Sequence, residues 1–194
     1  MKMAKKLLAV VLTGVMAVSM LTGCASISSR RVADELEDML KIANDKATVK
    51  AVDDDLANKA AKVAKDENNA LKNDATLKAA VKTELTKDNK LGDSYIWVAC
   101  FATKDVNKTV KAQNIAKAMM TTDDQGAKIA TDKAINSTDV KIGTKSGNEL
   151  KAGNKFELSM KEFTVKETVN GKDTNVDYVM VVVTCKAVVA EAQG

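Results

Sequence analysis

Two thiols, one serine–lysine pair and two short runs of acids are the residues of this chain that could do chemistry. Cys100 and Cys185 both fall in apolar, strand-like runs. There they either form a disulfide or pack as two separate small apolar side chains. Ser159 and Lys161 are close enough for serine–lysine nucleophilic catalysis, provided that no β-bulge separates them and both side chains share one strand face. Asp53, Asp54 and Asp55 suggest a cation site. Consecutive helical residues diverge by about 100°, however, so the three read better as a helix start or as solvated groups. Asp173, Asn175 and Asp177 have the alternate spacing of a calcium loop. The glycine position of that loop is occupied here by Tyr178, and no acid closes it.

The chain contains no histidine. That removes the commonest general base, the Ser-His-Asp and Cys-His nucleophile pairs, and every histidine metal site. With no histidine to lower a thiol pKa, Cys100 and Cys185 are poor candidates for a catalytic thiolate. No glycine-rich phosphate loop is present. No cofactor, no metal site and no catalytic residue are therefore expected.

The elements that position these residues fall into two parts. Residues 24–92 read as a helical region. Ser28 or Ser29 caps a first helix carrying Val32, Leu36, Met39, Leu40 and Ala43 on one face. Val49, Val52, Leu56, Ala60 and Val63 predict a second helix. A third begins at the cap pair Asn73-Asp74 and stops near Leu91-Gly92. The helical stripes are narrow and alanine-rich, so the helices need a partner surface to be stable.

Residues 93–194 read as an α+β region, either separate from the helical region or one domain with it. The apolar run over 95–102 predicts a strand covered on both faces. A helix is expected over 106–120, a second short helix over 123–135, a short strand at 140–142 and a polar loop over 143–153. Two long strands, 155–168 and 174–189, are joined by the favoured hairpin turn Asn170-Gly171. Pairing Val169 with Lys172 sets Val165 opposite Val176 and Phe163 opposite Tyr178. Further along, the apolar parity switches to Phe156, Leu158 and Met160. A β-bulge near Lys161-Glu162 would restore one common face. The second hairpin strand is apolar on both parities and is expected to be central. The fold class is thus α+β: an N-terminal helical segment, then a mainly antiparallel sheet with helices packed on it, ending in a long β-hairpin.

The N-terminus carries a sorting signal. Lys2, Lys5 and Lys6 precede an apolar run from Leu7 to Leu21, which ends in Leu21-Thr22-Gly23-Cys24. A basic start, a short apolar stretch and a small residue before the cleavage point define a secretory signal peptide, here residues 1–23. The terminal Leu-Thr-Gly-Cys resembles the lipobox of bacterial lipoproteins. The resemblance covers the sorting segment alone. It implies a diacylglycerol on the Cys24 thiol, removal of residues 1–23, and a protein anchored in the cell membrane on its extracytoplasmic face. Little chain separates Cys24 from the first helix, so the folded body is expected close to the membrane. Arg30 and Arg31 could touch anionic head groups there, although solvation is the commoner fate of two exposed arginines.

Removing Lys2, Lys5 and Lys6 from the 30 basic side chains leaves 27 against 26 acidic ones. A near-neutral surface without a basic cluster argues against nucleic-acid binding. The reading that follows is a membrane-anchored extracytoplasmic lipoprotein, non-catalytic, with a binding or structural role at the cell envelope and an envelope protein as its partner. Two alternatives stand beside it. One is a small-ligand-binding envelope module and the other a histidine-independent hydrolase.

Overall fold

The structure is a computed structural model. It describes residues 27–87, 94–103, 111–120, 127–129, 144–145 and 148–189. The signal segment, Cys24, the expected helix stop at Leu91-Gly92 and the expected strand at 140–142 lie outside the described residues.

In chain order the elements are α1 (Ser29–Lys41), β1 (Thr48–Ala51), α2 (Leu56–Val63), α3 (Asp74–Thr86), β2 (Ser94–Ala102), α4 (Lys111–Met120), β3 (Ala127–Ile129), β4 (Thr144–Lys145), β5 (Asn148–Val169) and β6 (Lys172–Val189). The strand order is β1-β5-β6-β2-β3, with β4 paired to β5. β1 runs parallel to β5, and every other pairing is antiparallel. The α+β class holds, with a mostly antiparallel sheet built around the β5–β6 hairpin.

β6 is the spine of the sheet. It pairs with β5 on one side and β2 on the other, and residues 178–185 are buried without a break. Alternate residues point to opposite faces, so a buried run of both parities needs cover on both sides. On one face Val179, Val181 and Val183 pack with Val32 and Leu36 of α1, Ile115 and Met119 of α4, and Trp97 and Phe156. On the other, Tyr178, Met180 and Val182 pack with Ala57, Ala60 and Ala61 of α2 and with Leu77, Val81 and Leu85 of α3. The alanine-rich stripe of α2 thus becomes a close-packing surface against the sheet. Each fully buried aliphatic side chain in these layers contributes about 1.5–3 kcal/mol.

Capping follows the polar residues at the helix starts. Ser28 Oγ accepts from the Arg31 N–H at 3.4 Å, and Asn73 Oδ1 accepts from the Thr76 N–H at 3.1 Å. Both residues have the extended backbone of an N-cap.

The hairpin begins as expected, with Val169 opposite Lys172, Val165 opposite Val176 and Phe163 opposite Tyr178. Asn170 (φ 54°) and Gly171 (φ 74°) supply the two left-handed residues of a tight turn. The expected bulge near Lys161-Glu162 is absent. Register runs unbroken to Phe156 opposite Cys185, so Met160 faces Val181 and Leu158 faces Val183. The parity switch instead marks a change in the covered face. Val165 belongs to the α2–α3 layer, whereas Phe156 and Leu158 belong to the α1–α4 layer. The shift lies further on, between Ala152 and Phe156.

Three other expectations are corrected. Residues 48–51 form a strand, not a helix, and lie parallel to β5 with Val49 opposite Phe156. Val49 is buried between exposed Thr48 and Lys50, a period of two, and helix resumes at Leu56. Within the expected short helix at 123–135, residues 127–129 form a strand paired to β2. Within the expected loop at 143–153, β4 forms and β5 starts at Asn148.

Candidate functional site

The described residues start at Ile27, three positions after Cys24. The Ile27 N–H donates to Glu162 Oε1 at 2.9 Å, and its side chain packs against the α1–α4 core. Glu162 lies on β5 beyond the end of β1, whose last paired residue is Ala51, opposite Leu158. β5 is therefore the outer strand of the sheet at this point. Arg30 and Arg31 follow in the first turn of α1 and are exposed. That turn carries no acid, and neither arginine forms an ion pair among the described residues. Lys161 is exposed beside Glu162 and points to the opposite face of the same edge.

The two thiols are apart. Cys100 lies opposite Met180 and Cys185 opposite Tyr95, five positions away along β2. They also point to opposite faces, Cys100 into the α2–α3 core and Cys185 into the α1–α4 core. The possible disulfide between Cys100 and Cys185 is thereby excluded. Five residues of strand span about 17 Å, and the sheet itself intervenes. Burial pushes the Cys185 thiol up to about 11, against the opposing pull of the Gly153 and Lys155 backbone N–H groups. At neutral pH it is a protonated, packed side chain.

Ser159 is buried and accepts from the Ala57 N–H at 3.3 Å. It satisfies one of the orphan donors that open α2. Asp54 Oδ1 accepts from the neighbouring Leu56 N–H at 3.0 Å, and Asp55 Oδ1 accepts from Asn58 Nδ2 at 2.9 Å. The unbroken register puts Ser159 and Lys161 on one parity, but Ser159 is turned into the core while Lys161 is exposed. The acids of β6 are engaged across the hairpin. Asp173 Oδ1 accepts from Thr168 Oγ1 at 3.1 Å, and Asp177 Oδ1 accepts from Thr164 Oγ1 at 2.7 Å. Among the described residues no three acids or cysteines converge in a way that could hold a metal ion. No described helix is long and apolar enough to cross a membrane.

Sequence reasoning missed Glu162 and Glu37. Glu162 holds a residue 135 positions away. Glu37 accepts from the backbone of β1 through Oε2 and from Lys41 through Oε1. Only the α1 pair had a local signal, the i, i+4 spacing of Glu37 and Lys41.

No known protein family, no curated protein and no solved structure matches this chain.

Proposed function

We propose that this protein is a lipid-anchored extracytoplasmic lipoprotein whose body serves a non-catalytic, binding or structural role at the cell envelope. The observation that carries the anchor is in the sequence: a basic start, the apolar run Leu7 to Leu21 and the ending Leu21-Thr22-Gly23-Cys24. A cysteine that directly follows a small residue at the end of an apolar run is the residue that a lipoprotein signal would leave first. That is where a processed, lipidated terminus belongs.

Support for a non-catalytic body comes from the structural engagement of most of the reactive side chains. Ser159 caps a helix, Asp54 and Asp55 serve the start of α2, and Asp173 and Asp177 tie the hairpin strands together. Cys100 and Cys185 are packed in separate cores. A cleft chemistry needs such groups to converge, and here they are spread over both faces of the sheet.

Cell fractionation tests the proposal. Cys24→Ala releases the protein from membranes, and the unsubstituted protein incorporates labelled fatty acid. A Cys24→Ala protein that remains membrane-bound contradicts the anchor. Crosslinking in cells then identifies the envelope partner.

A further inference from the structure

The far end of the β5–β6 hairpin stands clear of the rest of the sheet. β2 accompanies β6 only as far as Ala102 opposite Tyr178, and Thr103 Oγ1 donates to Asp177 O just beyond. On the other side Asn69 O accepts the Lys166 N–H at 2.8 Å. Glu167 is still tied down, since its carboxylate accepts from the buried Tyr178 hydroxyl. Beyond it, the pairs Thr168–Asp173 and Val169–Lys172 have no third strand among the described residues. Residues 168–175 are all exposed. A two-stranded ladder without a buried face is marginal in water, so this tip opens locally while the sheet below it stays closed.

At the apex are two groups that react with each other once the turn opens. Asn170 is the one asparagine of the chain that is followed by glycine. Among the described residues no hydrogen bond holds the Asn170 side chain or the Gly171 N–H. Nothing lies within 4 Å of where a Gly171 Cβ would stand, and without a Cβ the Gly171 nitrogen is unshielded. We propose that Asn170 is a self-modification site, at which the hairpin tip deamidates through Gly171 and passes to a permanently opened form. The Gly171 nitrogen attacks Asn170 Cγ. A new C–N bond closes a cyclic imide, and the amide nitrogen leaves as ammonia with the Gly171 proton. Water then opens the imide at either carbonyl. Opening at Cγ leaves aspartate. Opening at the main-chain carbonyl routes the backbone through Cβ and Cγ and leaves isoaspartate, with one extra backbone carbon. The closed turn fixes the backbone between the two residues, and the attack needs that backbone to rotate, so local opening controls the rate. Asp-Gly still makes a two-residue turn, whereas the longer isoaspartyl backbone does not.

The test uses the full chain, aged in mildly alkaline buffer in the folded state and, in parallel, unfolded in urea. Peptides containing each asparagine are followed by mass spectrometry, and chromatography separates aspartyl from isoaspartyl products. Freshly prepared Asn170→Asp supplies the product with a normal backbone. Amide hydrogen exchange over residues 168–174 is then compared among the fresh protein, its isoaspartyl form and Asn170→Asp.

Position 170 is expected to convert first in the folded protein, at a rate within about tenfold of that in the unfolded chain, because a fraying tip opens at little cost. The isoaspartyl form is expected to exchange its tip amides about tenfold faster than the fresh protein, and Asn170→Asp to match the fresh protein. Earlier conversion of another asparagine in the folded protein overturns the site. A folded-state rate more than about a hundredfold below that of the unfolded chain overturns the local route, because the tip then does not open on its own. Unchanged exchange in the isoaspartyl form overturns the opened product. None of these outcomes depends on a lipid at Cys24.

Discussion

Glu37 Oε2 accepts the Val49 N–H at 2.8 Å, which ties the middle of α1 to the outer edge of the sheet. β1 is a short edge strand, bonded to β5 on one side only. The Val52 N–H reaches Leu158 O, so the backbone N–H groups of even-numbered residues in this segment face β5 and the Val49 N–H faces outward. An outward N–H on an edge strand is a pairing site for another chain, and the Glu37 carboxylate occupies it. Lys41 holds the second oxygen.

Glu37→Ala is therefore expected to cost about 1 kcal/mol in chemical denaturation, the usual net value of one such hydrogen bond. Glu37→Gln keeps an acceptor for Val49 and retains most of that stability. The pH dependence separates the two contributions. The bond from Lys41, then that from Val49, hold the Glu37 carboxyl below its usual range. Its contribution is present above the unfolded carboxylate pKa and is lost as pH falls through the lower folded value. Melts of the unsubstituted protein should lose stability in acid more steeply than those of Glu37→Gln. Parallel acid profiles would refute this role.

Ser159→Ala leaves the buried Ala57 N–H without its partner at the start of α2. The expected loss is about 1–2 kcal/mol in urea unfolding, in the range of a lost cap. Ser159→Thr keeps a hydroxyl and tests geometry separately, since its extra methyl must fit a packed site. An unchanged midpoint for Ser159→Ala would show that the hydroxyl carries no structural load.

Mild reductant should leave the melting temperature unchanged, because Cys100 and Cys185 face opposite sides of the sheet. Both thiols should react with iodoacetamide slowly in the native protein and rapidly in denaturant. For Cys185 the elevated pKa adds to the burial. A mass lighter by two hydrogen atoms under non-reducing conditions would contradict the observed register.

Gly153→Ala is expected to destabilise. Its added methyl would stand 3.0 Å from Lys186 O and 3.4 Å from a Val188 methyl, inside the irregular stretch between Ala152 and Phe156. Gly171→Ala acts through a different cause. Nothing crowds that position, but its φ of +74° costs an L side chain about 1 kcal/mol. Scanning calorimetry should show losses for both. Only Gly153→Ala should also disturb the packing of Cys185, read as faster alkylation.

Much of the architecture was legible because it rests on local chemistry. Asn170-Gly171 announces its turn, and counting outward from it places Phe163 opposite Tyr178. Ser28 and Asn73 announce their helix starts. The apolar parity switch in β5 was visible too, but its cause was not. Alternation tells which residues are buried and not which face of the sheet covers them. A bulge near Lys161 and a change of covering layer therefore look alike. β1 was missed because Val49, Val52 and Leu56 fit a helical spacing as well as a strand followed by a helix. The site around Ile27 had no local signal for Glu162, which arrives through tertiary packing.

The most direct measurement is the intact mass of the protein extracted from membranes. The account predicts a chain that starts at Cys24 and carries a diacylglyceryl group on that residue. A chain that still begins at Met1, or an unmodified Cys24 at the terminus, would contradict it.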